Sequence, residues 1–501
     1  MHPALIGSLA FAGWTRPLFW FLVGLVFLGA MPLVVASVQF VVIGRHYRHD
    51  HYDAAGPFFP RIAVLIPAWN EGAVIGASID RLLSLEYPAD RLRIYVVDDA
   101  STDETPQVVL GRAAAHPGRV VHLRRDKGGE GKAHTLNHGL ALILDDDWME
   151  ALLIMDADVI YAPDSLRKMS RHLYDPKVGA VTAYIKEGSA EGNYMTRFIA
   201  YEYITAQAAS RRSQNVFGAL ACLAGGAQLH SRSNLEAIGG RIDTSSLAED
   251  TFTTFNTQLA GNRVVFDGNA TVLAEEPGNI GGLWKQRLRW ARGNVHVTKH
   301  FKHIWFRHSR THRLGSVAFG ISWFCLFLLP IFMILSSTAL VILFFANFPA
   351  SWRLFHRLWI VNAVSFTFLT SFALLIDTGT ARRVWREALF FPGAVSLLII
   401  GYTCFPRLFS HVIHQDLHVG HPEARVAILI AYMWVAGCML VAYAAKCVEN
   451  TRAGRVLSPV LVYLAGFGPL LCSVTLASYF YELRGAEMKW DKTEKSGKIA
   501  V

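Results

Sequence analysis

Long apolar runs lie towards both ends of the 501-residue chain and leave a more polar stretch between them. Residues 18–43 are apolar apart from Ser37 and Gln39. As one helix they would extend about 39 Å, which exceeds the roughly 30 Å of a bilayer core. The run lacks a basic start and a clear small-residue cleavage site, so we predict a membrane anchor and not a removed signal peptide.

A second apolar region, residues 315–481, predicts four or five further membrane helices. The candidate spans are residues 315–345, 358–376, 388–405, 426–448 and 457–481. Runs of this length with few charges are typical of membrane helices, and buried helices of a large soluble protein are the alternative. Residues 358–376 contain four Ser or Thr, and residues 388–405 contain Pro392. The sequence therefore also allows one of these two segments to lie along the membrane surface instead of crossing the membrane.

The stretch between the apolar regions alternates two kinds of periodicity. Short apolar runs typical of strands fall at residues 61–67, 93–97, 119–123 and 151–155, and helical spacing falls at residues 70–85 and 105–116. This alternation predicts a doubly wound, mainly parallel α/β sheet, whose ligands bind beyond the carboxyl ends of the strands. Three polar clusters follow strands there, at residues 67–71, 98–103 and 156–158. The pattern alone therefore predicts a binding site.

Asp156 and Asp158 flank one small residue directly after a predicted strand. In an extended segment, side chains two positions apart point to the same side. Two carboxylates there suit a divalent cation, because Mg²⁺ is typically held by one or two carboxylates together with substrate phosphates. An ordinary solvated turn is the alternative.

Three other segments have both a structural and a functional interpretation. The cluster at residues 98–103 fits a helix N-cap or a part of the site. The glycine-rich loop 127–132 lacks the GxxxxGK[ST] pattern, so it is either a mobile surface loop or a loop that brings Lys132 near negative charge. Glu249 and Asp250 precede a helical pattern, where an acid either favours the helix dipole or deprotonates an attacking hydroxyl.

Residues 285–313 contain nine Lys or Arg, five His and no acid. Such a belt beside a membrane attracts anionic lipid. The same segment suits an active site: Arg289 would neutralise a leaving phosphate, Trp290 would stack on a sugar, and Gln286 would bond to sugar hydroxyls. We expect both interpretations to hold.

Composition decides between classes of protein. Apolar residues make up 52% of the chain and charged residues 17%, which excludes a disordered chain and argues against a wholly soluble one. A net charge of +9 would allow a nucleic-acid binder, but residues 44–284 carry a net charge of −7 and residues 285–313 carry +9. We therefore expect no nucleic-acid partner. Arg45 and Arg48 place residue 44 onward in the cytoplasm by the positive-inside rule.

The chain resembles glycosyltransferase family 2, and within it the membrane-embedded processive synthases of cellulose, chitin, hyaluronan and poly-N-acetylglucosamine. The matching motifs, in family order, are Pro67-Ala-Trp-Asn-Glu71, Asp98-Asp99-Ala-Ser, Gly131-Lys132-Ala, Asp156-Ala-Asp158, Glu249-Asp250 and Gln286-Arg-Leu-Arg-Trp290. They cover about residues 60–300. The synthases have an acceptor-site loop where this chain has residues 218–227. The sequence Ala-Cys-Leu-Ala-Gly-Gly within these residues does not match the loop of synthases for any one sugar.

The resemblance implies a cytoplasmic GT-A fold, Rossmann-like and mainly parallel, combined with a multi-span helical membrane region. It also implies a UDP-sugar donor and Mg²⁺ or Mn²⁺ as cofactor. By position, Glu71 and Asp99 would contact the uridine, with Lys132 nearby. Asp156 and Asp158 would bind the diphosphate and the metal.

On the acceptor side, the resemblance implies that Asp250 is the catalytic base. Gln286, Arg289 and Trp290 would hold the acceptor end and the leaving diphosphate. Such enzymes invert the anomeric configuration and extrude their polymer through their own helices. Of the donors, we favour UDP-N-acetylglucosamine over UDP-glucose.

These inferences give a predicted domain organisation and set of partners. The segments are a membrane helix (1–43), the catalytic domain (44–284), the basic interfacial segment with the Gln-x-x-Arg-Trp motif (285–314), the membrane bundle (315–481) and a basic tail (482–501). We expect an inner (plasma) membrane protein, with a growing polysaccharide or lipid-linked acceptor, membrane lipid and room for helper subunits. The alternatives are a single-transfer enzyme acting on a lipid carrier and a nucleotide-binding transporter or scaffold.

Overall fold

The structure, a computed structural model, describes residues 15–48, 54–408, 422–487 and 499. They divide into two compact units. The first unit comprises the described residues of Gln39–Ile321, Phe372–Ala388 and Ala477–Val501. The second comprises those of Met1–Val38, Ser322–Ser371 and Leu389–Leu476.

The first unit is built on an eight-stranded mixed sheet. Its strands are β1 (Ile62–Ala68), β2 (Leu92–Asp98), β3 (Val120–Arg124), β4 (Ala151–Ile154), β5 (Val159–Tyr161), β6 (Val178–Glu187), β7 (Gln228–Ser231) and β8 (Arg263–Ala274). Their order across the sheet is β3-β2-β1-β4-β7-β6-β8-β5.

Strands β1 to β4, all predicted from the sequence, pair in parallel with one another. Strand β7 runs antiparallel to both β4 and β6, while β6 and β8 pair in parallel and β5 is antiparallel to β8. The predicted class, an α/β GT-A-like domain with a set of apolar helices, is confirmed. The sheet is more mixed than predicted because β7 reverses direction at its centre.

Helices cover the sheet and connect its strands. Those of the α/β region are Gly72–Leu83, Thr105–Ala115, Lys132–Asp145, Ser165–Ser170, Tyr194–Tyr203, Ser210–Phe217, Arg232–Ala237, Glu249–Leu259 and Ile280–His300, with a π-helical turn at Ile204–Ala209. At Gly139 the backbone lies so close to the sheet that a β-carbon would come within 2.5 Å of Leu65 and 2.6 Å of Val97. This close approach fixes the helix that begins at Lys132 on β1 and β2.

The remaining α-helices, most of them apolar, are Thr15–Leu28, Met31–Val42, Val317–Phe327, Leu329–Ala346, Phe348–Ile376, Thr378–Leu389, Ala394–Cys404, Pro422–Val448, Gly454–Ala465 and Phe467–Leu483. Among the described residues, three segments are long and apolar enough to cross a membrane: Leu329–Ala346, Phe348–Ile376 and Ala424–Val448. Up to six qualify if each of three bent helix pairs counts as one span.

The bends correct the expectation of continuous spans. Residues 18–43 form two helices at 51° to each other, where Gly29 and Ala30 precede Pro32, which has no N–H to continue a helix. The predicted span 315–345 is also divided, between Phe327 and Leu329. Conversely, the predicted span 358–376 is part of a 29-residue helix.

Two of the bends meet backbone to backbone within the second unit. Gly393 and Gly466 have left-handed φ angles of 89° and 103°. A β-carbon on Gly466 would lie 2.5 Å from the carbonyl carbon of Pro392, and one on Gly393 would lie 2.4 Å from that of Ala465. Because neither position has room for a side chain, each break fixes the other.

We predict that Gly466→Ala lowers the free energy of unfolding by roughly 2 kcal/mol or more, since alanine is strained at this φ and its β-carbon meets backbone. The measurement is thermal unfolding in detergent. Gly437→Ala is the matched control, because Gly437 lies within the helix Pro422–Val448 and a β-carbon added there would have no neighbour within 4 Å. Equal melting temperatures for the two variants would contradict the packing argument.

Candidate active site

Hydrogen bonds tie the loop after β1 to the loop after β2. The backbone N–H of Asn70 donates to Ser101 Oγ at 2.9 Å, and that of Glu71 donates to Thr105 Oγ1 at 2.8 Å. Asn70 itself has a left-handed φ of 53°. The loops therefore hold Glu71 beside the segment that begins with Asp99, as adjacent parallel strands allow.

Asp99 is buried beneath the glycine-rich loop. It forms an ion pair with Arg125 and accepts a hydrogen bond from the N–H of Gly129 at 2.9 Å. A β-carbon on Gly128 would lie only 2.1 Å from the Asp99 carbonyl oxygen. In this structure the loop is therefore packed on Asp99, and glycine is required for that contact.

Lys132 is the centre of a buried charge cluster. Its Nζ lies 2.6 Å from Asp156 Oδ1 and 3.4 Å from Glu249 Oε1. Burial lowers the pKa of Lys132, but the carboxylates of Asp156 and Glu249 outweigh burial and raise it above its usual value. Lys132 is therefore a permanent cation at the end of β4.

Asp250 joins this cluster at Gly225. A β-carbon on Gly225 would lie 3.2 Å from Lys132 Nζ, 3.4 Å from Asp250 Oδ2 and 3.8 Å from Asp156 Oδ2. Residues from three separate segments thus surround one glycine, whose missing side chain lets their charged atoms lie close to its backbone. The sequence analysis did not assign Gly225 a role, although the pair Gly225-Gly226 was a local signal for close backbone approach.

The two acids at the start of the helix Glu249–Leu259 have different surroundings. Burial raises the pKa of Glu249, and the charges of Lys132 and Arg289 oppose this only in part. Asp250 is half-buried, and its Oδ1 accepts the N–H of Thr251 at 2.7 Å. Glu249 therefore pairs with Lys132 in the charge cluster, while the second carboxylate oxygen of Asp250, Oδ2, lies beside Gly225.

Asp158 is half-buried two residues beyond Asp156. Within the described part of the chain, no group of three or more His, Cys, Asp or Glu forms a metal site by itself. A cation at Asp156 and Asp158 would therefore need further oxygen ligands from a substrate. That donor set fits Mg²⁺ or Mn²⁺ bound together with phosphates.

Gln286 and Trp290 lie on the helix Ile280–His300 and are both held by Arg287. Gln286 Oε1 accepts from Arg287 Nη1 at 2.9 Å, while Gln286 Nε2 donates to Glu276 at 3.1 Å. The Arg287 guanidinium lies 4.0 Å from the centre of the Trp290 ring and 2.8 Å from Glu202. The sequence analysis missed these partners of Gln286.

The same helix approaches the charge cluster one turn later. A β-carbon on Gly293 would lie 2.6 Å from the β-carbon of Ala248, the residue before Glu249. This close packing brings Arg289 near enough to act on the pKa of Glu249. The structure thus brings together Lys132, Asp156, Asp250 and, through Glu249, Arg289.

Comparison with known proteins identifies this part of the chain. Residues 60–293 match the family model described as glycosyltransferase like family 2. These residues are a family 2 glycosyltransferase domain.

Three curated relatives are similar to parts of the chain. "Probable glycosyltransferase YdaM" of Bacillus subtilis is 30% identical over 281 residues, which are 55% of this chain and 64% of that protein. Beta-monoglucosyldiacylglycerol synthase of Synechocystis sp. is 31% identical over 241 residues, 48% of this chain and 49% of that protein. Poly-beta-1,6-N-acetyl-D-glucosamine synthase of Staphylococcus epidermidis is 28% identical over 251 residues, which are 50% of this chain and 57% of that protein. The chain spans about half to two thirds of each relative's length.

The end of the glycosyltransferase domain is bonded to residues 482–487. Arg292 is 6% exposed, and its Nε donates to Glu482 Oε1 at 2.6 Å. The other carboxylate oxygen of Glu482 lies 2.8 Å from His296 Nε2. Arg292 also donates to the carbonyl oxygens of Ala486 and Glu487. The helix that carries Gln286, Arg289 and Trp290 is therefore fixed at its second half.

We predict that Glu482→Gln lowers the free energy of unfolding by about 3 kcal/mol, because it leaves the buried Arg292 charge without its counter-ion. Thermal unfolding of the purified protein measures this loss. Glu86→Gln is the control, since its ion pair with Arg167 is exposed on both sides and is worth at most about 1 kcal/mol. Similar losses in both variants would show that the buried ion pair of Glu482 contributes no more to stability than the exposed pair of Glu86.

Proposed function

We propose that the chain is an inverting, metal-dependent membrane glycosyltransferase that extends a β-linked polysaccharide. The donor is a UDP-sugar, UDP-N-acetylglucosamine in preference to UDP-glucose. The observation that carries the proposal is the convergence of Lys132, Asp156 and Asp250 at Gly225, inside a family 2 glycosyltransferase domain. Cation, diphosphate-side carboxylate and base are the three groups that such a transfer needs.

On the donor side, Glu71 and Asp99 contact the uridine, from two loops that hydrogen bonds already join. Lys132 and Asp156 face the diphosphate. Asp156 and Asp158 would hold Mg²⁺ or Mn²⁺, and the ion would supply Lewis-acid stabilisation of the departing diphosphate. Lys132 and Arg289 supply fixed positive charge for the same leaving group.

On the acceptor side, Asp250 accepts the proton of the attacking hydroxyl. The hydroxyl oxygen bonds to the anomeric carbon as the bond from that carbon to the diphosphate breaks, so one displacement inverts the configuration. Gln286 and Trp290 position the acceptor sugar, and the Arg287 contacts keep both in place. Stacking and hydrogen bonding of this kind orient the hydroxyl for attack.

The remainder of the proposal concerns the membrane. The catalytic domain lies in the cytoplasm beneath the inner membrane, and the apolar helices export the product processively. The basic residues 285–313 also contact anionic lipid. No nucleic acid is a partner, since the folded domain is acidic, while helper subunits remain part of the proposed assembly.

A single-transfer enzyme that glycosylates a lipid is the second candidate. The similarity to beta-monoglucosyldiacylglycerol synthase favours it. A transporter or scaffold that only binds nucleotide is a weaker candidate, because a binding module has no use for a base at Asp250.

We predict that membranes containing the chain transfer label from one UDP-sugar of a radiolabelled panel, with UDP-N-acetylglucosamine giving a long polymer. Product sizing separates polymer from glycolipid. Asp250→Asn is the matched control: it should retain UDP binding and lose transfer by about 10²- to 10⁴-fold, because only the base is removed. Wild-type turnover by this variant, or no transfer from any donor, would overturn the proposal.

We also predict that chelation of divalent cations with EDTA stops turnover and that added Mg²⁺ or Mn²⁺ restores it. Without the cation, Asp156 and Asp158 repel the diphosphate instead of binding it. The measurement is initial rate against free metal concentration, and Asp158→Asn should shift that curve to higher metal. Full activity in excess EDTA would remove the metal role from both residues.

A further inference from the structure

Arg211 is a buried cation that forms no ion pair within 4 Å in the described part of the chain. It lies in the first turn of the helix Ser210–Phe217 and is 9% exposed. Its Nη1 is fully buried and makes no hydrogen bond to any described residue. Burial lowers the pKa of Arg211, which is the expected response to an uncompensated charge.

Three other buried arginines of the same unit have partners for at least part of the guanidinium group, although Nε of Arg212 and Nε of Arg287 make no hydrogen bond to a described residue. Arg287 pairs with Glu202 at 2.8 Å, and Arg292 pairs with Glu482 at 2.6 Å. Arg212, the next residue along, donates to backbone carbonyl oxygens at 2.8 and 3.2 Å. A buried guanidinium whose protein partner is missing is costly and points to a partner supplied from outside the chain.

The position of Arg211 indicates which partner that is. The groups whose charges act on Arg211 are Cys222, Asp250 and Tyr203. The groups that act on Lys132 are Asp156, Glu249 and Asp250. Asp250 is the one group common to both sets. Arg211 and Lys132 therefore share Asp250 as a neighbour, while their other neighbours differ.

The local backbone also distinguishes this segment. The π-helical turn Ile204–Ala209 separates the helices Tyr194–Tyr203 and Ser210–Phe217. A π turn inserts an extra residue and redirects the side chains that follow it, and such turns occur frequently at functional sites. Directly after it, Arg212 donates to backbone carbonyl oxygens, while Arg211, whose charged neighbours include Asp250, leaves Nη1 without a partner among the described residues.

We propose that Arg211 binds an oxygen atom of the glycosyl acceptor, next to the hydroxyl that Asp250 deprotonates. The assignment rests on the proposed function. The oxygen belongs to a sugar hydroxyl or carbonyl group, or to the phosphate of a lipid carrier. Either accepts a charge-assisted hydrogen bond from a guanidinium, and either completes the hydrogen bonding that the protein leaves open.

The test compares Arg211→Gln and Arg211→Lys with the wild-type full chain in detergent. Three quantities are measured: UDP binding, donor hydrolysis without acceptor, and transfer rate against acceptor concentration. One series uses a soluble N-acetylglucosamine oligomer, and the other uses a polyprenyl phosphate in mixed micelles. Arg241→Gln, which changes an exposed arginine of the same domain, is the control.

We expect Arg211→Gln to raise the acceptor KM by about ten- to a hundredfold, the weight of one charge-assisted hydrogen bond, with UDP binding and donor hydrolysis unchanged. Arg211→Lys should be intermediate, and the series in which KM rises identifies the source of the oxygen. A KM within twofold of wild type in both series overturns the assignment, as does loss of UDP binding together with transfer. A wild-type chain that transfers no sugar overturns the proposed function itself.

Discussion

The candidate site depends on one electrostatic constraint, the burial of the Lys132 ammonium at the start of a helix. A helix N-terminus repels cations, and desolvation disfavours them further, so Lys132 is stable there only beside carboxylates. Asp156 from the end of β4 and Glu249 from another helix supply that charge. The close packing of Gly139 on the sheet keeps Lys132 within their reach. The buried position of Lys132 therefore depends both on the packing of its helix against the sheet and on the two carboxylates.

Local sequence patterns were sufficient for the parallel half of the sheet. Strands β1 to β4 and the polar clusters that follow them lie where apolar runs and strand ends predict. The reversal at β7 has no such local cause, because a four-residue strand can pair in either direction until its neighbours are known. The Gln-x-x-Arg-Trp motif could be read from the sequence, but Glu202 lies 85 residues from Arg287 and only folding brings them together.

The apolar helices show the same division between local and tertiary causes. Hydropathy identified the segments that avoid water, and Pro392 indicated an interruption in one of them. Hydropathy does not show where an apolar run bends. The 95° bend between Ala465 and Phe467 occurs where Gly466 touches the backbone near Gly393, 73 positions earlier in the chain. The left-handed φ of Gly466 makes the bend possible, and the contact with the backbone near Gly393 fixes it at that residue.

That contact couples the break at Gly393 to the break at Gly466. Neither glycine carries a side chain that could rotate aside, so straightening one pair would drive its backbone into the other. A change in the angle of one break would therefore require a matching change in the other. For a chain proposed to move a polymer past its apolar helices, this contact would hold the two breaks in a constant position relative to each other.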